Sequence, residues 1–188
     1  MHPAYHDLAV LRLAELDYFE QQFDSSSAKL NRIAVNVNAD VANDALQLSY
    51  FIDENKQSAP AALKDFSQAH LLMRQRKYSE SLAGFQSVVK TYPSAYLVDD
   101  ALLNIGELNV LLKRYADAAA AFHTIADSMQ TSILKDRAQF RLAEMFERTT
   151  HEGPKAIDAY EQLLVKFPNS MFAEETRKRI RLLRGDAL

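Results

Sequence analysis

The sequence predicts an all-α fold made of repeated antiparallel helix pairs. Three observations support this prediction: similar stretches that recur at a nearly constant interval, apolar side chains spaced three and four apart, and a composition that favours helix. Only four of the 188 residues are Gly and five are Pro, so few residues are left for hairpin turns or glycine-rich phosphate loops. Ala, Leu, Glu, Lys, Arg and Gln are abundant, and these residues favour helix.

The period is clearest in the second half of each unit. The stretch KRYADAAAAFHTI at 113–125 matches RKYSESLAGFQSV at 76–88, with Phe122 in the place of Phe85. The next copy, GPKAIDAYEQLL at 153–164, puts Tyr160 in that place, at an interval longer by a single position. Because loops tolerate insertions, we expect the extra residue in the loop RTTHEGP at 148–154.

The first halves of the units repeat as well. ALLNIGEL at 101–108, AQFRLAEM at 138–145 and AVLRLAEL at 9–16 share one pattern, so a further copy starts the chain. We therefore predict a single domain over residues 1–188. Its parts are repeats at about 5–37, 60–94, 97–130 and 134–169, an extra helix at 39–55 and a capping helix at 170–184.

Proline marks the ends of the second helices. Pro93 and Pro168 are separated by two of these intervals, and each should end a helix because proline cannot continue one. Ser94 and Ser170 follow them closely and could cap the next helix. Helix breaks are predicted near residues 93, 130, 152 and 168.

Two positions in each unit hold small residues, and a third holds a large one. Small side chains should let two antiparallel helices approach closely, while the large side chain fills the space between hairpins. The first small position holds Ala14, Ala69, Gly106 and Ala143; the second holds Ser26, Ser81, Ala118 and Ala156; the large one holds Phe85, Phe122 and Tyr160.

This small–small–large pattern, with its prolines, resembles the tetratricopeptide repeat (TPR) family over nearly the whole chain. The interval between copies is a few positions longer than the usual TPR period, and Gly153 stands where the family has an aromatic residue. The resemblance implies a right-handed TPR-like α-solenoid of about ten antiparallel helices. It also implies a non-catalytic scaffold or adaptor that binds a protein or peptide partner in its concave groove.

The long period and the two stops, Tyr92-Pro93-Ser94 and Phe167-Pro168-Asn169-Ser170, are similar to the TPR segments of Gram-negative envelope proteins. Examples are the Tol-Pal coordinator protein and the outer-membrane assembly lipoprotein of the β-barrel machinery. This resemblance implies a role in cell-envelope assembly or maintenance. The expected location is periplasmic or envelope-associated if a signal lies upstream of this chain, and cytoplasmic otherwise.

In the TPR family the first helix of each repeat lines the concave groove, and the resemblance places residues of this chain at those groove positions. The alternative is that some of these residues pack against the neighbouring hairpin instead. The predicted partner-binding residues on the concave face are Leu11, Glu15, Tyr18, Phe19, Phe66, His70, Met73, Arg74, Leu103, Glu107, Val110, Phe140, Glu144, Glu147 and Arg148.

Glu15, Glu107 and Glu144 share one repeat position, so they could form an acidic column that favours a basic or amide-rich segment. The alternative is that each Glu pairs with an arginine of the next helix, such as Arg137 or Arg141.

The N-terminal end is apolar from the start of the repeat register. Leu8, Leu11 and Leu13 occur in the first helix with no polar cap before them. We therefore expect this chain to be the C-terminal part of a longer protein. The same apolar end could support a homodimer, so a structural, self-assembling solenoid segment is the alternative function.

Composition and motifs disfavour other classes of protein. A net charge of -3 and a pI of about 6.0 argue against a nucleic-acid binder. The chain has no Cys, no Walker or GxGxxG motif and no apolar run of membrane-spanning length. His2 and His6 are spaced as two metal ligands could be, but a solvated terminus is the simpler interpretation. We predict no catalytic residue, cofactor, metal site or transmembrane segment.

Overall fold

The computed structural model describes residues 3–35 and 41–186, and every regular element in them is helical. Two π-helical turns, Thr124–Ser128 and Met145–Thr149, continue the seventh and eighth α-helices. The predicted all-α TPR-like solenoid is confirmed. The helices are α1 (Pro3–Phe19), α2 (Phe23–Ala34), α3 (Ala42–Ser58), α4 (Pro60–Arg74), α5 (Tyr78–Thr91), α6 (Val98–Leu111), α7 (Tyr115–His123), α8 (Lys135–Glu144), α9 (Gly153–Lys166) and α10 (Ala173–Arg184).

The chain divides into two compact units, unit 1 (residues 1–98) and unit 2 (residues 99–188). In unit 1, α2 packs between α1 and α3, α4 packs on α5, and α1 also contacts α4. In unit 2, α8 packs between α7 and α9, and α10 packs on α9. One continuous domain over residues 1–188 stays a prediction.

Helix bounds differ from the prediction by a few residues. The extra helix, predicted at 39–55, continues to Ser58, since Ala59 leaves the helical conformation (φ -150°, ψ 62°) before Pro60 and Pro60 opens α4. Residues 39–40 of that prediction, like 36–37 of the first repeat, lie outside the described residues. The capping helix begins at Ala173 rather than 170, because a turn precedes it. It ends at Arg184, before Gly185, whose φ of 77° is left-handed.

The sequence offered Ser170 as a cap for the next helix, but its side chain does not cap α10. Its hydroxyl accepts the N–H of Phe172 at 3.1 Å and donates to Asp136 at 2.6 Å, so it closes the turn ahead of α10. Ser132 makes the same two bonds, from Leu134 N–H at 3.0 Å and to Asp99 at 2.6 Å. These pairs tie each loop between repeats to the first turn of an earlier helix.

The small positions bring the paired helices together as predicted. Ser26 donates to the carbonyl oxygen of Ala14 at 2.8 Å, and Ser81 donates to that of Ala69 at 2.7 Å. In each case the residue at the second small position thus bonds to the backbone at the first. All eight small positions are buried.

The loops within the hairpins share an unexpected conformation. The residues that follow the first helices, Gln21, Arg76, Lys113 and His151, have φ between 57° and 62°, although none is Gly. At Lys113 the N–H bonds to Val110 O at 3.0 Å, and the next N–H, of Arg114, bonds to Asn109 O at 2.8 Å. This is the Schellman arrangement that ends many helices, usually with Gly at the left-handed residue.

We expect Lys113→Gly to stabilise the protein by about 0.5–1 kcal/mol. The left-handed conformation strains a residue with a Cβ by about 1–2 kcal/mol, and the extra freedom of Gly in the unfolded chain offsets part of that gain. Urea denaturation measures the change. As a matched control, Lys64→Gly within α4 should destabilise by about 1 kcal/mol. Destabilisation of similar size in both variants would contradict the assignment.

The extra residue of the fourth repeat does not lengthen a loop, as the sequence predicted; it lies in a π turn that overlaps the first two residues of the predicted segment 148–154. Gly106 precedes the left-handed Lys113 by seven residues, whereas Ala143 precedes the left-handed His151 by eight. The difference falls on the π turn Met145–Thr149, where Thr150 N–H bonds to Met145 O at 3.0 Å. A π turn accommodates one added residue within a helix, and such turns are frequent at functional sites.

Candidate partner-binding site

Four of the predicted groove residues belong to the core. Leu11, Tyr18, Phe66 and Phe140 are each no more than 8% exposed. Phe66 packs against the rings of Phe51 and Phe85, with centroids 4.9 and 5.0 Å away. The prediction that these four face a partner is wrong, because the neighbouring helices already cover them.

The first helices of unit 1 carry the remaining predicted residues of the first two repeats. Phe19 and Met73 are half-buried and Arg74 is exposed. Glu15 forms ion pairs with Arg12 at 2.7 Å and with Arg74 at 3.5 Å. Glu15 is therefore not a free member of an acidic column.

His70 is enclosed by aromatic rings. The centroids of Tyr18, Phe19 and Phe66 lie 6.0, 5.7 and 6.1 Å from its own. Its buried Nδ1 has no hydrogen-bond partner within the described residues. Burial, assisted by the charge of Arg74 and opposed by that of Glu15, lowers the pKa of His70. The imidazole is therefore a neutral, half-buried member of this aromatic cluster.

We expect this lowered pKa to make stability depend on pH. Above the ordinary histidine pKa of about 6.5, the neutral His70 contributes fully to stability. As the pH falls below that value, the unfolded chain takes up the proton more readily than the folded one, and stability is lost down to the lower, folded-state pKa.

The measurement is the urea midpoint of the protein and of His70→Phe between pH 7.5 and about 4.5. On acidification the urea midpoint of the parent protein should fall further than the midpoint of the variant. Other titrating groups are common to both proteins. Parallel curves would show that His70 is not the responsible group.

In unit 2, Arg141 joins the two acidic positions that the sequence placed in one column. Its guanidinium makes a two-pronged contact with Glu107, with Nη2 2.5 Å from Oε2, and its Nη1 donates to Glu144 at 2.6 Å. The hydrogen bond to Glu107 is the largest cause that raises the pKa of Arg141. The paired arrangement with Arg141 thus replaces the predicted acidic column, and Glu107 is committed to it.

Glu147 is held by structural contacts as well. It accepts the hydroxyl of Tyr160 at 2.7 Å and pairs with Arg179 at 3.2 Å. Burial, with the bond to Glu147, raises the pKa of Tyr160, so the phenol stays protonated. Glu147 therefore fastens α8 to α9 and α10.

A cleft of about 200 Å³ opens where the π turn of α8 meets α6 and α7. It brings together three predicted residues, Val110, Glu144 and Arg148, while the partly buried Leu103 packs against the adjacent core. Sequence reasoning missed the other lining residues; the one-residue excess of this repeat was the signal that could have found them. The complete lining is Val110, Phe122, Arg141, Glu144, Met145, Arg148 and Thr149.

The cleft combines an apolar floor with a charged rim. Val110, Phe122 and Met145 supply the floor. On the rim, Nη1 of Arg148 lies 3.0 Å from Glu144, and half of the Arg148 side chain is exposed, whereas Glu144 is only 12% exposed. Such a surface can hold an apolar side chain and offer hydrogen-bond donors beside it.

Within residues 3–35 and 41–186, no three His, Asp or Glu side chains cluster in a way that could hold a metal ion. Nor does any helix of those residues have the length and apolarity needed to cross a bilayer.

Two family models, both described as tetratricopeptide repeat, match the chain at residues 66–128 and 137–170. The chain is a tetratricopeptide repeat protein, and repeats of this family generally mediate protein–protein interaction and scaffolding. No curated protein matches the chain.

Proposed function

We propose that this protein is a non-catalytic scaffold that binds a segment of a partner protein along the face that carries the cleft. The observation that supports the proposal best is the cleft itself, which combines the apolar side chains of Val110, Phe122 and Met145 with the half-exposed Arg148. Peptide grooves of this kind take an anchoring side chain and secure it by a few polar contacts.

The state of the charged groups supports a binding role over a catalytic one. Glu107, Glu144 and Arg141 are committed to one another, and hydrogen bonding raises the pKa of Arg141 further above the neutral range. A general acid or base needs a pKa near the working pH and access to substrate. These side chains therefore suit a fixed scaffold.

A photocrosslinking amino acid at Thr149, on the cleft rim, tests the proposal. In cells it should capture a protein that the same crosslinker at the exposed Lys178 of α10 does not. With that purified partner, Arg148→Glu should weaken binding by about tenfold or more, as expected for reversing a charge at an interface. The control Arg181→Glu, on the exposed side of α10, should leave binding unchanged. Identical capture from both positions would contradict the proposal.

We further propose that the scaffold serves cell-envelope assembly or maintenance. The support is the pair of stops at Pro93 and Pro168, each with a Ser one or two positions later, which resemble those of envelope proteins. Fractionation of cells that express the full native open reading frame with an epitope tag tests this. The protein should appear in the periplasmic or envelope fraction, and recovery only from cytoplasm would refute the assignment.

Self-association is the second candidate function, and a specific surface of α1 favours it. Leu13 and Leu16 are 52% and 55% exposed. The residues at the same repeat positions of α8, Leu142 and Met145, are buried against the preceding hairpin. Leu11, which the sequence placed on this apolar surface, is instead in the core. The exposed stripe of α1 is thus a stacking surface that another helix could cover.

Leu13→Glu combined with Leu16→Glu should convert a dimer to a monomer if this surface mediates self-association. Analytical ultracentrifugation over a range of concentrations gives the mass. Asn43→Glu with Leu46→Glu, an exposed pair of equal spacing on α3, is the control and should leave the mass unchanged. A monomeric parent protein at high concentration would exclude the homodimer.

A further inference from the structure

We infer that the partner segment carries an apolar side chain next to an acidic one: the apolar group fills the cleft of unit 2 and the carboxylate binds Arg148. The inference rests on the proposed function, because it specifies which protein segment the same cleft binds. Size, charge and the pairing of the rim residues each support it.

The size of the cleft determines which partner side chain can bind in it. An apolar cavity of roughly 150 Å³ accommodates a benzene molecule, and this cleft measures about 200 Å³. Its floor of Val110, Phe122 and Met145 offers aliphatic, aromatic and thioether surface. A single Leu, Met or Phe side chain therefore fits, and its binding would remove apolar surface from water.

The rim excludes a basic anchor. Both carboxylates beside the cleft, Glu107 and Glu144, already accept hydrogen bonds from Arg141. A lysine or arginine of the partner would have to displace Arg141 from a partly buried, two-pronged contact, which removes charge-assisted bonds of the strongest kind. The basic or amide-rich segment that an acidic column would favour does not fit this arrangement.

Arg148 can donate hydrogen bonds to the carboxylate of an acidic partner residue. Its guanidinium has five N–H donors in a planar fork, and its ion pair with Glu144 uses Nη1 while half the side chain remains exposed. A partner carboxylate can approach from solvent without desolvating a buried charge. Arg148, Thr149 and Met145 all belong to the π turn, and all three line the cleft.

Selection of peptides tests the inference directly. The probe is a phage-displayed library of random linear peptides, panned on the full 188-residue chain. Enriched peptides should carry Leu, Met or Phe within about two positions of Asp or Glu, the span that one extended segment covers between cleft and rim. Synthesised peptides should lose about tenfold in affinity against Arg148→Gln, comparable to one charge-assisted hydrogen bond. Arg181→Gln should bind like the parent protein.

A charge swap makes the test sharper. Arg148→Glu should restore binding to peptides in which Lys replaces the acidic residue, and should not bind the originals. Val110→Trp, which fills the cleft, should weaken every selected peptide, with circular dichroism confirming that the variant remains folded.

The outcomes separate the two proposals. Some peptides could block crosslinking from Thr149 and yet lack an acidic residue, or bind Arg148→Gln as tightly as the parent protein. Either result overturns the inference and leaves the proposed function standing. A library that yields no peptide for the cleft also overturns the inference. Absence of a captured partner at Thr149 overturns the proposed function itself.

Discussion

Phe122→Ala is expected to lower the free energy of unfolding by about 3–5 kcal/mol, the range for removing a buried aromatic side chain. The Phe122 ring is 1% exposed and packs with Ala118, Ile125 and Leu142 in one core cluster. Gly106 approaches the same ring so closely that a Cβ at this position would collide with it. The truncation therefore leaves a cavity at the junction of two hairpins, which rigid helices cannot close by relaxation.

Urea denaturation followed by circular dichroism measures the loss. Tyr50→Ala is the control, because that aromatic residue is 68% exposed and its truncation should change stability by no more than about 0.5 kcal/mol. A loss below about 1 kcal/mol for Phe122→Ala, well under the range for a buried ring, would mean that the ring does not join the two hairpins.

Ala143→Leu is expected to destabilise the protein by about 1–3 kcal/mol through overpacking. Ala143 is fully buried and shares a core cluster with Ala156 and Tyr160, where α8 crosses α9. Three added carbon atoms have no space there, so the helices must separate or the side chain must leave its preferred rotamer.

Thermal unfolding compares this variant with Ala120→Leu, a control on the exposed side of α7. The control should melt close to the parent protein. A loss of about 1 kcal/mol would lower the melting temperature by several degrees. If Ala143→Leu melts within about a degree of the parent protein, the helix crossing is not tight.

The fold was largely predictable because its signals are local. The period, the small positions and the two prolines each act within one hairpin or between neighbours, and residues such as Ala69, Ser81 and Phe85 lie where the repeat pattern put them. Helix bounds were less predictable, as at Ser58, because the end of α3 depends on the first turn of α4.

The candidate site was predictable in part. The pattern identified the helix face and three cleft residues, Val110, Glu144 and Arg148. It could not separate exposed positions from buried ones, as Phe66 and Phe140 show, because burial depends on the helix that packs alongside. It also left open whether the acidic positions were free or paired.

The sequence by itself determined the class of fold, the repeat register and the residues at each helix crossing, because a repeated pattern encodes the same local packing several times. Only the tertiary structure decided that Arg141 pairs with Glu107, a residue of a different helix hairpin, and that the added residue becomes a π turn rather than a longer loop. Both outcomes depend on distances between separate helices and on backbone hydrogen bonding, which spacing along the chain does not specify. Arg141 and residues of the π turn both line the cleft.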